Sequence, residues 1–303
     1  MKALSVILKV FVCVVLIFAI VFCAEFFFWY PHYLKNKSEA VIVPAGKDDG
    51  SVRIASCNVR CINPLDAGKK SWFYRADLLV KGLAVNTPDI IGFQEVTKWQ
   101  YKYLQDSFPG FDSVITYRDK AFNSEGCPVF YNTSLFELVD KGSFWLSETP
   151  DEMSKDWGAA CYRICSYTIL KFKQSDKQFV VFNTHLDHVS DEARINGIKV
   201  VLDKIKEFGS LPSLIMGDLN ADEESKTYKT ATQYFNDVKY LTDDTASGCT
   251  YQNFGNSLEK PNIDYFLISK EGIDVNSYKI ITDTYDGVYS SDHFPIITEI
   301  VIK

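Results

Sequence analysis

Short apolar runs of strand type that finish on a polar side chain recur along the chain, and this pattern restricts the fold more than any other feature. Ile90-Ile91-Gly92-Phe93-Gln94-Glu95 ends on a carboxylate, and Gln178 to Asn183 runs into Thr184-His185. Leu214-Ile215-Met216-Gly217-Asp218-Leu219-Asn220 carries a carboxylate and a carboxamide two residues apart. In an extended segment such residues point the same way, so Asp218 and Asn220 can share a site. Gly217 permits a close approach that a side chain would obstruct. Ser51 to Val59, with Asn58 near its end, Arg163 to Phe172, Ile263-Asp264 to Ile268 and Ser290 to Ile297 continue the series. Val129-Phe130-Tyr131 and Phe136 to Val139 read as a hairpin around Asn132-Thr133-Ser134. Strands outnumber helices, which suits two sheets packed face to face, helices outside, and a site where strand ends converge.

Two helices are legible between the strands. Trp72, Ala76, Leu79 and Leu83 recur at helical spacing until Thr87-Pro88-Asp89 breaks the pattern. Ser190 opens a second helix with Ile195, Ile198, Leu202 and Ile205 on one face, and Gly209 stops it.

The first thirty residues differ in kind. Lys2 and Lys9 precede an unbroken apolar stretch from Val10 to Ala24; Glu25 interrupts it before Phe26-Phe27-Phe28-Trp29-Tyr30-Pro31. No small-residue exit site is evident, so an uncleaved transmembrane anchor over residues 1–34 is favoured over a cleaved signal sequence. Trp29 and Tyr30 would form its interfacial belt. Lys35 and Lys37 balance Lys2 and Lys9, which leaves an extracytoplasmic body only a weak preference, or a secreted one if the segment is removed. Residues 35–50 are turn-rich and read as a linker to a body spanning 51–303.

The net charge of -7 argues against a broad basic surface that grips nucleic acid through its phosphates. Cys57/Cys61 and Cys161/Cys165 share a C-x3-C spacing, but Cys57 and Cys61 would diverge at a strand exit. Buried thiols therefore explain them better than zinc does. Carboxylates and carboxamides without clustered Cys and His favour a hard ion, Mg2+ or Mn2+. His185 lies near Asp187 and His293 beside Asp292, and a carboxylate can hold an imidazole in the tautomer that acid-base work needs. A Glu95 buried at a strand end needs a partner or a metal.

Asn58, Gln94-Glu95, Asn183-Thr184-His185-Leu186, Gly217-Asp218-Leu219-Asn220, Ile263-Asp264-Tyr265 and Ser291-Asp292-His293 occur in the order of the endonuclease/exonuclease/phosphatase superfamily. The resemblance covers residues 51–303. Pro88 to Glu95, Phe144-Trp145-Leu146-Ser147-Glu148-Thr149-Pro150 and Asn183 to His188 bring it near the carbon-catabolite-repressor deadenylases.

It implies a four-layer α/β sandwich of two mixed sheets and a Mg2+-dependent phosphoesterase site. Glu95 would be the principal metal ligand with Asn58 beside it, and Asp292 would help hold the metal or its waters. Asp218 would orient or deprotonate the attacking water, supported by Asn220. His185 and His293 would bind the scissile phosphate, with Asp264 behind His293. Arg60 stands where some relatives have an acid, and Glu125 where close relatives often have a pocket acid. Arg163 and Arg194 are candidate phosphate contacts. The resemblance implies a phosphoester substrate, whether nucleic acid, nucleotide or lipid head group as for sphingomyelinases and inositol phosphatases, and no obligate protein partner is evident. A silent binding module on the same fold would require losses among these positions, and the main ones are all present. A catalytic zinc triad lacks the right Cys/His spacing.

Overall fold

The computed structural model describes residues 2–36, 42 and 50–303. Most of the expected linker, 37–41 and 43–49, lies outside the described residues. The body comprises β1 (Ser51–Asn58), α2 (Trp72–Asn86), β2 (Ile90–Gln94), α3 (Lys98–Ser107), β3 (Phe111–Val114), β4 (Val129–Asn132), β5 (Phe136–Trp145), β6 (Ile164–Phe172), β7 (Gln178–His185), α4 (Asp191–Lys206), β8 (Ser213–Asp218), α5 (Lys226–Thr232), β9 (Phe235–Asp237), β10 (Asp264–Ser269), β11 (Ile273–Ile280) and β12 (Ile296–Ile302). It follows α1 (Lys2–Asn36).

Two six-stranded sheets form, ordered β11-β12-β1-β2-β4-β3 and β5-β6-β7-β8-β10-β9. Among the described residues only the central pairs, β1 with β2 and β7 with β8, are parallel. Period-two alternation sorts the side chains into layers. On β7, Phe179 and Val181 enter the core between the sheets with Val52, Ile54, Leu214 and Met216. Val180 and Phe182 face the other way, onto Ile198, Val201 and Leu202 of α4. Ala55 and Ile91 likewise turn outward onto Ala76, Leu79 and Leu83 of α2. Helix, sheet, sheet, helix is the four-layer α/β sandwich expected from the resemblance.

Polar side chains pin the two sheets together. Asn183 on β7 donates Nδ2 to the carbonyls of Phe93 and Pro128, each at 2.8 Å, and accepts from Gln94 Nε2 at 2.7 Å. The sheets approach so closely that a Cβ at Gly92 would lie 2.3 Å from Met216 Cε. Gly217 has φ +138, and a Cβ there would sit 1.9 Å from the Thr184 carbonyl oxygen, so only glycine fits.

Three local expectations change. The segment around Asn132 is not a hairpin: β4 pairs with β2 and β3, whereas β5 pairs with β6 in the other sheet. Phe136 is committed to the inter-sheet core, which takes the chain across rather than back. The last strand starts at Ile296 rather than Ser290; Pro295 has no N–H to donate, and the Asp292 carbonyl accepts instead from the amides of Gln252 and Asn253. Finally, β8 ends at Asp218, and Asn220 takes a left-handed backbone (φ +47) instead of continuing it.

The helix α1 is apolar over most of its length, with a mean hydropathy of 3.2 in its most apolar window. Its 35 residues span about 50 Å, more than the roughly 30 Å of a bilayer's hydrocarbon core. The surplus at its C-terminal end is an aromatic seam: Phe26, Tyr30 and Tyr33 pack edge-on against Phe73, and Tyr33 also meets Tyr103. Glu25, which breaks the apolar run in the sequence, accepts from the Gly68 amide at 3.0 Å.

Candidate active site

Strand register assembles the site. On the second sheet, His185 is the Cα partner of Asp218, which in turn is the partner of Asp264, so the ends of β7 and β8 and the start of β10 set three polar residues in one row. On the first sheet, Asn58 pairs with Gln94, bringing Glu95 beside it. The two rows meet: Asn58 Nδ2 donates to Glu95 Oε1 at 3.2 Å and to Asp218 Oδ2 at 3.1 Å. Arg60, Glu95 and Asn220 all adopt positive φ without being glycine, and such strain gathers at sites that need a fixed geometry.

Asp218 lies at the centre, with Oδ2 3.4 Å from His185 Nε2 and 3.7 Å from His293 Nε2. His293 Nδ1 bonds Asp264 Oδ2 at 2.8 Å, and Asp264 is itself fixed by its backbone N–H, which donates to Thr250 Oγ1. Burial works against an imidazolium, but Asp264 and Asp218 outweigh it and hold the His293 pKa up at about 10. His185 is the opposite case. Burial, with Arg163 and Arg118 nearby, drives its pKa well below the ordinary histidine value, and it is neutral. Its Nε2 meets Asn220 Nδ2 at 3.0 Å. The sequence-adjacent acids are therefore not the histidines' partners. Asp187 is taken up by the amides of Ala160, Cys161, Val189 and Ser190, and Asp264 rather than Asp292 holds His293.

Burial, and then the Asp264 charge, push the Asp218 carboxyl up to about 7. Burial also raises Asp292. Burial would raise Glu95 too, but the Cys61 amide, donating to Oε2 at 2.9 Å, His293 and Arg60 hold it below the ordinary carboxylate range. Crowding of acids in a buried place is what a divalent cation relieves. Asp218, Asp264 and His293 offer ligand atoms within 4.8 Å of one another. Glu95 and Asp292 add carboxylate oxygens to the lining of the same cavity, whereas the Asn58 carboxamide oxygen accepts the Arg60 amide at 3.0 Å. Carboxylate oxygens of this kind suit a hard divalent cation.

Glu95, His185, Asp218, Asn220, Asp292 and His293 line a cavity of about 320 Å³, together with Arg60, Glu125 and Arg163. Arg60 forms a two-pronged pair with Asp66, at 2.9 and 3.2 Å, and lies 3.7 Å from Asp292. Arg194 is placed elsewhere: its guanidinium donates to the Asp187 carbonyl at 2.7 Å and pairs with Asp191. The cavity also has Arg118, His188, Tyr251, Cys61 and Cys161 in its walls, none of them singled out from the sequence as site residues.

Nor does the sequence signal Arg75, a fully buried arginine on α2. It donates to the carbonyls of Val59, Arg60, Lys70 and Ser290 at 2.6 to 2.9 Å, tying the loop after Asn58 to the loop before Asp292. Burial lowers its pKa to about 10. Its position on the buried face of α2, beside the apolar stripe of Trp72, Ala76 and Leu79, was the available clue.

Acids, a carboxamide, one charged imidazole and one neutral imidazole around one small cavity, at the ends of the central strands of a two-sheet sandwich, define a phosphoric ester hydrolase. The chain belongs to the endonuclease/exonuclease/phosphatase family, whose sequence model matches residues 55–293. It is similar to the uncharacterized protein L388 of Acanthamoeba polyphaga mimivirus, with 27% identity over 249 residues, 75% of this chain and 91% of that one. Nocturnin of Drosophila melanogaster is 25% identical over 173 residues; the match covers 53% of this chain but only 26% of nocturnin. Among solved structures, the mannosyl-6-phosphatase Bt3783 of Bacteroides thetaiotaomicron VPI-5482 superposes with a TM-score of 0.77 at 33% identity, over 83% of this chain and 100% of that one.

Proposed function

We propose that the protein is a Mg2+-dependent hydrolase of small phosphoesters, attached to a membrane by α1. The observation that carries this reading is Asp218 set between an imidazolium and a neutral imidazole, 3.7 and 3.4 Å away, beside the oxygen pair Glu95–Asn58. Glu95, Asn58 and Asp292 would hold the metal ion. When bound, the ion supplies positive charge to neutralise the phosphate and to lower the pKa of an attacking water.

The chain's own groups account for the remaining work. Asp218 accepts the water's proton; a carboxyl pKa near 7 matches that task at neutral pH. His293, kept protonated by Asp264, donates Nε2–H to a phosphoryl oxygen and stabilises charge that builds up in the transition state. Neutral His185, oriented by Asn220, supplies a second contact without adding a full charge. Arg60, Glu125 and Arg163 would contact the rest of the substrate. Arg194, engaged with Asp187 and Asp191, would act on the site only through the Asp187 loop.

A small ester is favoured over a polymer by the cavity of about 320 Å³, at the small end of ligand pockets, and by the net charge of -7. Residues 1–34 would form the anchor, 35–50 the linker and 51–303 the catalytic domain. The aromatic seam at Phe26, Tyr30 and Tyr33 then seats the domain at the membrane surface, where lipid head groups are within reach. The body is proposed to face outward from the cytoplasm.

The test is hydrolysis by the full chain in detergent, with Mg2+ or with EDTA, over phosphomonoesters, sphingomyelin, DNA and poly(A). Turnover that needs Mg2+ and falls at least about 10³-fold in Asp218→Ala is expected. Turnover that survives in that variant would sink the assignment of Asp218.

A further inference from the structure

Two neighbouring features of α1 fix the depth at which it can sit in a bilayer. Glu25 carries a carboxylate, which is costly inside a hydrocarbon layer. Phe27 and Phe28, just beyond it, are 74% and 78% exposed, and such rings leave water favourably. At a rise of about 1.5 Å per residue, Glu25 and Phe28 are less than about 5 Å apart along the axis. A bilayer spanned by α1 therefore has its interface at this level of the helix. The exposed apolar residues from Leu4 to Ala24, about 30 Å of helix, fill the hydrocarbon beneath it.

A segment of the body is held at the same depth. The Gly68 amide donates to Glu25 Oε1 at 3.0 Å, and Gly68–Lys70 form a short 3-10 turn. Around it Pro64, Leu65, Ala67, Lys69 and Lys70 are exposed, Leu65 at 72%. The turn is also tied to the body. The Lys70 carbonyl accepts from Arg75 Nε at 2.8 Å, and Phe73 on the same helix meets the rings of Phe26, Tyr30 and Tyr33 at 5.7 to 6.5 Å. Its depth is thus set by α1.

The charge on this segment is one-sided. Asp66, the one acid between Asn63 and Lys70, is taken up twice by Arg60. Lys69 and Lys70 have no ion-pair partner among the described residues, and Lys70 Nζ lies 5.4 Å from the centre of the Phe254 ring. An exposed leucine next to two unpaired ammonium groups, level with the head groups, matches lipid of net negative charge. The leucine enters the edge of the apolar layer, and the ammonium groups reach the phosphates.

We propose that Leu65, Lys69 and Lys70 form a second membrane contact, one that binds anionic phospholipid in the bilayer that α1 spans. The contact borders the cavity, because the same loop begins with Arg60 and Cys61 in the cavity wall. It rests on the anchoring reading above, and it adds which face of the body lies on the bilayer and which lipid that face selects.

The experiment places the full chain in phosphatidylcholine nanodiscs that contain phosphatidylglycerol with a photoreactive head group or, in parallel, phosphatidylcholine labelled in the same way. Mass spectrometry of the digested protein locates the adducts. Residues 63–70 should take up at least about threefold more of the anionic probe than of the zwitterionic one. In Lys69→Glu/Lys70→Glu, and separately in Leu65→Glu, labelling of this segment by the anionic probe should fall at least about threefold. Labelling of α1 should stay constant, and thermal unfolding confirms that both variants fold. Label confined to α1, equal labelling of 63–70 by the two probes, or unchanged labelling in both variants overturns this inference and leaves the anchor standing. Full chain that fails to float with vesicles of either composition overturns both.

Discussion

The two flanks of Asp218 solve opposite problems with the same side chain. On one, His293 is bonded to Asp264 at 2.8 Å and retains its proton; on the other, His185 faces a carboxamide and two nearby arginines and gives its proton up. Both rings are buried, so burial does not distinguish them. The other surrounding charges do: Asp264 bonds one ring, whereas Arg163 and Arg118 act on the other. A cavity that must cradle a multiply charged phosphoryl group gains from the asymmetry. Two imidazolium groups would repel each other and would compete with a metal for the same oxygens, whereas one charged donor and one neutral group do not.

Removing the acid tests the charged flank most severely. Asp264→Asn should lower kcat about 10²-fold, because His293 loses the partner that keeps it protonated and oriented; steady-state kinetics at fixed Mg2+ measures this, and a loss under threefold would show that the pair is not needed. The neutral flank should respond less. His185→Gln keeps a neutral polar side chain that can still accept from Asn220, so a loss of about tenfold is expected, and a loss equal to that of Asp264→Asn would erase the proposed difference between the flanks. The smallest effect should come from the tie that holds the flanks together. Gln94→Leu removes the donor to Asn183 Oδ1 and leaves that buried oxygen unpaired, at a cost of about 1–3 kcal/mol in unfolding free energy, read from chemical denaturation.

Much of the fold and the core of the site were legible before any coordinates. Apolar runs ending on Asn58, Glu95, His185 and Asp218 located the strand ends, and strand ends on one side of paired parallel strands must lie together. The ladder row His185–Asp218–Asp264 follows from that placement. Adjacency along the chain was a poorer guide to which acid serves which histidine than the family resemblance, which implied Asp264 behind His293. Proximity along the chain suggested Asp187 and Asp292, but Asp187 is occupied by four backbone amides, and Asp264 reaches His293 from 29 residues away. The supposed hairpin at Asn132 failed for a related reason. A turn-like tripeptide specifies a change of direction, not the sheet that the next strand will join, and Phe136 was drawn into the inter-sheet core.

What the sequence determined by itself was the class of chemistry and its address. Local alternation of apolar residues sets which segments become strands, and the residue types at their ends dictate hard-ligand, imidazole-assisted work. Only the tertiary structure decided the rest: the protonation states of His185 and His293, the placement of Arg194 outside the cavity, the buried ties at Arg75 and Asn183, and the seating of Gly68–Lys70 beside Glu25 of α1. Each of these depends on electrostatics and hydrogen bonding between groups far apart in the chain. Such terms vary with distance through space, and a linear pattern carries no record of it.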